Sequence, residues 1–231
     1  MSAAPPETND LAGNGAASGF TVVHADASLL ILDKPAGLLS VPGRGEDKQD
    51  CLSARVQACY PDALVVHRLD MATSGLMLMA RSVGIQRALG AVFERREIYK
   101  RYVAVVHGLP LPAPGPDGWG LIDLPIAVDW PRRPIRVIDT ARGKPSQTRW
   151  RVLALDAAAH RTRLELEPLT GRSHQLRVHL QALGHPILGD RLYATEAVYA
   201  RADRLLLHAC TLGFIHPVSG EAMRFESAVP F

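Results

Sequence analysis

The stretch V-V-H-R-L-D-M-A-T-S-G-L-M-L-M-A, residues 65–80, decides the fold of this chain. It sets His67, Arg68 and Asp70 between two apolar runs, Leu64–Val66 and Leu76–Ala80. Both runs are too short and too closely flanked by turn residues for a helix. They predict buried strands, with Thr73, Ser74 and Gly75 turning the chain between them. Asp70 is the centre of the stretch. A carboxylate at the lip of two buried strands is costly to desolvate, and a chain keeps it there when an arginine is near or when it has chemical work. Taken alone, Asp70 reads as a turn aspartate that accepts backbone N–H bonds. The crowding of His67, Arg68, Asp70 and Thr73 into one connection is more typical of a site.

Before this stretch, T-V-V-H and L-L-I-L flank the turn-like Ala25–Ser28 and predict a strand pair, and D-K-P-A-G-L-L-S-V-P-G, residues 33–43, predicts a loop presenting Lys34. Leu52, Val56 and Cys59 have helical spacing, ended by Tyr60-Pro61. After it, Ser82 is an expected N-cap for a helix to about Glu97, and Ile98–Val106 is expected to be a strand in the same sheet. A Pro/Gly loop at 108–118 and short strands between Leu121 and Val137 follow. Lys144–Leu155 and Thr162–Leu169 predict a hairpin, and a helix opens near Ser173 and ends at Gly184. Closing strands complete an α+β pattern dominated by strands. Residues 1–18 are small, polar and Gly/Pro-rich, too poor in apolar surface to offset ordering, and predict a disordered tail before one domain at 19–231.

The chain has 231 residues, 47% of them hydrophobic, enough for a full core. No apolar run approaches the ~20 residues that cross a bilayer, and the first basic residue is Lys34, too late for a signal peptide. The cytoplasm is the expected location. Cys51, Cys59 and Cys210 lack disulfide or zinc spacing. The net charge of +3 is unevenly spread. Residues 1–50 carry three basic and seven acidic residues, a net of −4, whereas residues 131–177 carry eleven basic and four acidic ones, a net of +7. The 22 Arg against 4 Lys suit a GC-rich coding sequence, which explains the preference for arginine but not its clustering. A concentrated positive charge favours a polyanionic partner.

Several chemistries lack support. His174 and His179 are five apart and leave the shared helix face that metal ligation uses, so no metal is expected. No second carboxylate near Asp70 suggests a glycosidase pair, and no G-x-S-x-G elbow occurs. One carboxylate, one aromatic ring and one arginine do fit together. Asp70 would be a nucleophile or base, Arg177 would hold it ionised, and Tyr102 would offer a face for a planar base. Singly, Tyr102 reads better as an ordinary strand core residue and Arg177 as a charge on the helix surface.

The residues H-R-L-D-M-A-T-S-G at 67–75 resemble the signature of the RluA family of pseudouridine synthases. D-K-P-A-G-L at 33–38, K-R-Y-V-A-V-V-H-G at 100–108 and L-T-G-R-S-H-Q-L-R-V-H at 169–179 resemble three further motifs of that family, in the same order. The resemblance implies the pseudouridine synthase fold, a bent and mainly antiparallel mixed sheet with flanking helices; many members of the family carry an N-terminal S4 domain, where this chain is expected to have only the tail. It implies an RNA-modifying isomerase without cofactor or metal, in which Asp70, Tyr102 and Arg177 are catalytic. It further implies that Arg68 fills the space left by a flipped nucleotide. His67, Arg132, Arg133, Lys144 and Arg172, with Arg136 and Arg149 beside them, are expected to bind RNA. The implied partners are structured rRNA and tRNA, specifically a large-subunit rRNA hairpin and tRNA anticodon stem-loops, bound by a monomer away from membranes. The alternative is an RNA-binding or RNA-folding protein that has kept the scaffold without the chemistry.

Overall fold

The computed structural model describes residues 19–109, 115 and 117–231. The expected tail at 1–18 and part of the 108–118 connection lie outside the described residues. The chain opens with β1 (Thr21–Ala25) and β2 (Leu29–Lys34), a hairpin turned by Asp26, whose carboxylate accepts the N–H groups of Ser28 and Leu29. There follow α1 (Leu52–Cys59), β3 (Leu64–Val65), β4 (Ser74–Ala80), α2 (Val83–Glu94) and β5 (Tyr99–His107). Next come β6 (Gly120–Asp123), β7 (Ile126–Val128), β8 (Arg136–Ile138), β9 (Gln147–Asp156) and β10 (Arg161–Pro168). The chain closes with α3 (Gln175–Ala182), α4 (Glu196–Tyr199), β11 (Leu207–Ile215) and β12 (Ala222–Glu226).

Among the described residues ten strands form one sheet in the order β1-β2-β4-β11-β5-β10-β9-β6, with β3 added to β4 and β12 to β11. Among the strand pairs of the described residues only β4 and β11 run parallel. At that junction Gly75 has φ +111° and sits where a Cβ would fall 2.3 Å from the Ala209 carbonyl oxygen, so glycine alone lets the two halves close. The architecture is α+β, a mixed and mostly antiparallel sheet with helices packed on it.

Continuous apolar runs predict strands covered on both faces, and β4 is buried at every residue. Leu30, Leu32, Met77 and Met79 pack under α1 at Leu52 and Val56. Leu29, Ile31, Leu76 and Leu78 pack on the opposite face with Leu89 of α2. Further along the sheet, Ala104, Val106, Leu164, Leu166 and Trp150 meet Leu176 and Leu180 of α3. The other face of β9 and β10 carries cross-strand ion pairs, Arg149 to Glu167 at 3.1 Å and Arg151 to Glu165 at 2.5 Å. Part of the positive charge counted in residues 131–177 is therefore neutralised by the chain's own carboxylates. Arg149, expected to grip phosphates, is one of these paired arginines and also meets Asp117 at 2.7 Å.

Three expectations shift. β3 is two residues long and half-buried, not a buried strand, because the next N–H along β4, that of Leu78, is taken by the His67 Nε2 at 3.0 Å and the chain peels away. The tight turn is residues 70–73, closed by the Thr73 N–H to the Asp70 carbonyl, while Ser74 and Gly75 already pair with β11. The third helix begins at Gln175 rather than Ser173. The Gln175 side chain bonds Thr170, the Arg172 N–H, the Gln147 carbonyl and Thr148, and this draws residues 172–174 into a turn with His174 at φ +59°.

Candidate active site

Asp70 lies on the connection from β3 to β4, and four contacts hold that connection. Ser40 Oγ donates to the Leu69 carbonyl at 2.7 Å and lies 3.1 Å from the Leu69 N–H, which donates back to it. The Gly37 N–H donates to the Met71 carbonyl at 2.9 Å. Lys34, expected on a surface loop, is fully buried, and its Nζ donates to the carbonyls of Pro35, Leu38 and Met71 at 2.8, 2.8 and 3.1 Å. Burial pulls this ammonium down to about 8, against the pull of Asp70 that favours the charge. The D-K-P-A-G-L segment is thus the clamp beneath the Asp70 turn. Replacing Lys34 with Met should destabilise the fold at about 1–3 kcal/mol for each buried carbonyl left bare. Thermal unfolding should show a Tm lower by several degrees, and an unchanged Tm would mean that the clamp contributes nothing.

The Asp70 carboxylate, 20% exposed, accepts no backbone N–H among the described residues; its neighbours are Arg177 Nη1 at 3.4 Å and His174 Nε2 at 3.9 Å, both to Oδ2. The turn-capping reading therefore gives way to the ion-pair reading. Arg177 is more firmly held elsewhere. Its Nε and Nη2 donate to Asp190 at 2.8 and 2.6 Å in a bidentate pair whose carboxylate is fully buried. Asp190 also accepts the N–H groups of Leu192 and Tyr193. One guanidinium thus bridges a buried carboxylate and the accessible one at the cavity, and the buried one fixes its place.

His174 stands beside Arg177 on the same side of the turn. Its Nδ1 lies 2.7 Å from Tyr193 Oη, which accepts the Arg136 N–H at 2.9 Å. Burial pushes the imidazole below its ordinary value, while Asp70 pulls the other way. His179, by contrast, has both ring nitrogens engaged, by Thr148 and the Leu124 carbonyl, and acts inside the core.

Asp70, Tyr102 and Arg177 line one cavity of about 320 Å³, together with His67, Arg68, Lys100, Arg172 and His174. Tyr102 comes from β5. Burial, reinforced by the Asp70 charge, raises its phenol above the ordinary value, so the ring enters the cavity as a neutral, protonated group. Arg68 and Arg172 are exposed at the rim, with no side-chain partner among the described residues. His67 does not serve as a surface cation. Its ring stacks on Phe93 at 4.6 Å, Nε2 accepts the Leu78 N–H, and burial lowers it to about 3, so it is neutral and braces β4.

The remaining expected RNA-binding residues sit on and beside the β7–β8 hairpin, which packs on α3 through Ile126, Val178 and Tyr193. Arg133 stacks on Trp130, which is 66% exposed, and Lys144 is exposed without a side-chain partner among the described residues. Arg132 is paired with Asp129 at 2.5 Å, and the Arg136 guanidinium donates to the carbonyls of Pro134 and Ile135. Sequence reading missed Lys34 as the clamp and Asp190 as the anchor. The signal for Asp190 was a lone acid ending the apolar run P-I-L-G-D at 186–190.

Residues 28–182 match the model of the RNA pseudouridylate synthase family. The dual-specificity RNA pseudouridine synthase RluA of Escherichia coli is 48% identical over 212 residues, 92% of this chain and 94% of its own. That of Yersinia pestis is 45% identical over 210 residues, covering 91% of this chain and 99% of its own. Human RNA pseudouridylate synthase domain containing 1 superposes with a TM-score of 0.76 at 28% identity, over 94% of this chain and 86% of that one. A match to more than half of the chain, and near-half identity carried across the site just described, lead to one assignment: the chain belongs to the RNA pseudouridylate synthase family.

Proposed function

We propose that this protein isomerises uridine to pseudouridine in structured RNA, with Asp70 acting on the sugar, Arg177 orienting it and Tyr102 receiving the uracil. The observation that carries this reading is the meeting of these three side chains, from a turn, a strand and a helix, on one cavity. The N1–C1′ bond breaks, the uracil turns, a C5–C1′ bond forms, the C5 proton leaves and N1 gains one. The sequence of bonds is redox-neutral and internally balanced, so it calls for no cofactor. Asp70 either attacks C1′ or removes the 2′ proton. The neutral phenol of Tyr102 suits stacking and hydrogen-bond donation, and it is a poor base for the C5 proton.

A uridine inside a stacked stem-loop cannot reach such a cavity without being flipped out. Arg68, exposed beside Asp70, occupies the vacated stack, and Arg133, Lys144 and Arg172, without an ion-pair partner among the described residues, offer positive charge to the RNA backbone. The dual specificity named for the relatives extends here to a large-subunit rRNA hairpin and tRNA anticodon stem-loops, bound by a monomer in the cytoplasm. Among the described residues no helix is long and apolar enough to cross a membrane. The test is incubation of the protein with RNA carrying tritium at uridine C5. Release of label to water is expected, and binding without release on any cellular RNA would leave an RNA-binding protein in its place.

A further inference from the structure

The hollow that contains Asp70 does not end at Tyr102. A second hollow of about 630 Å³ adjoins it, and the two share Phe93, Lys100, Pro168, Thr170, Gly171 and Arg172. Arg96, Glu94 and Glu167 complete the charged lining of the second. Glu167 is already neutralised by Arg101 and Arg149, at 2.5 and 3.1 Å. Three cations, Arg96, Lys100 and Arg172, therefore face a single carboxylate, Glu94, that has no ion-pair partner among the described residues.

Lys100 differs from Lys34, the lysine beneath the Asp70 turn. On β5 successive side chains alternate, and Arg101 turns to the face where Glu165 and Glu167 lie, while Lys100 and Tyr102 share the cavity face. Two strand residues span ~7 Å, comparable with one nucleotide step of an RNA backbone. Lys34 satisfies its ammonium with three carbonyls. Lys100 is half-buried, and its ammonium has no hydrogen bond or ion pair among the described residues. Burial lowers its pKa. A cation partly withdrawn from water and left unpaired is unfavourable for the isolated chain, and a ligand that brings an anion relieves it.

We infer that Lys100, with Arg172 on the same shared wall, forms a subsite for the backbone phosphate of a nucleotide adjacent to the one whose uracil lies on Tyr102. The subsite rests on the reading of the substrate as RNA. A phosphate held there fixes the strand one step from the extruded nucleotide and so sets its sugar against Asp70.

The test is binding of an RNA stem-loop, across a series of salt concentrations, to Asp70→Asn protein with and without Lys100→Met. Met keeps the aliphatic stem and removes the charge. The substitution is expected to weaken binding several-fold at low salt and to make the slope of log K against log salt shallower by about 0.7–1. Lys100→Arg should keep the slope, and Arg172→Ala, at an exposed position, should lower it as Lys100→Met does. With Asp70 intact, the tritium-release defect of Lys100→Met should fall on KM more than on kcat. Unchanged slopes for both Lys100→Met and Arg172→Ala, or a defect confined to kcat, would overturn the subsite. If the unmodified protein released no tritium, the isomerase reading would fail, and the salt titration would still decide on Lys100.

Discussion

With Asn in place of Asp70, tritium release should fall by ~10⁴-fold or more, the scale seen when a directly reacting group is removed. That loss corresponds to roughly 5 kcal/mol of barrier. The fold should be unaffected, because Arg177 keeps both of its bonds to Asp190 and no buried charge is left bare. Stability should change by about 1 kcal/mol or less, the scale of the single long hydrogen bond from Arg177. RNA affinity should hold or rise, since one negative charge facing a polyanion is gone. Release at saturating RNA, thermal unfolding and filter binding measure the three quantities separately. Release close to that of the unmodified protein would remove Asp70 from the reaction.

Substituting Asp190 with Asn should damage both stability and activity, although this side chain never reaches the cavity. Oδ1 can still accept the Leu192 and Tyr193 N–H groups, but an amide nitrogen in place of Oδ2 confronts the Arg177 Nε–H with another donor. Breaking a buried pair of this kind costs about 3–5 kcal/mol, and at ~2–4 °C per kcal/mol the Tm should fall by roughly 6–20 °C. Below the new Tm the folded protein should still lose about 10²-fold in rate, because Arg177 is no longer held beside Asp70. Arg177→Lys should reproduce much of this by losing the bidentate fork. The double variant should be less impaired than the two single losses multiplied, since the residues act as one unit. Independent, multiplying effects would mean that Asp190 does not act through Arg177.

The strands were legible wherever one short-range pattern was enough. The continuous apolar run at 76–80 means cover on both faces, and α1 and α2 supply it. In β10 the alternation of buried Leu164 and Leu166 with Arg163, Glu165 and Glu167 shows its period directly in the chain. The hairpin over 147–168 and the Ser82 cap, whose side chain accepts the Ile85 N–H, follow from equally local rules. The start of α3 was less legible, because it depends on Gln175 reaching across to β9, a contact between residues 28 apart in the chain.

The charged residues divide in the same way. Residue type and motif order single out Asp70, Tyr102 and Arg177 as a group, and the clustering of arginines points to a polyanion. The chain alone cannot say which arginines are free. Arg149 and Arg151 lie opposite glutamates because of the β9–β10 register, whereas Arg172 and Lys144 have no side-chain partner among the described residues. Nor can it say that Lys34 turns inward or that His67 is a neutral brace, because a side chain's charge state depends on neighbours brought from distant segments. The composition and local periods of this sequence determined its class, its strands and its candidate chemistry. Tertiary structure decided which carboxylate is exposed, which arginine anchors it and which cations remain unpaired. Coulomb and desolvation terms depend on distances through space, and those exist only once the sheet has closed.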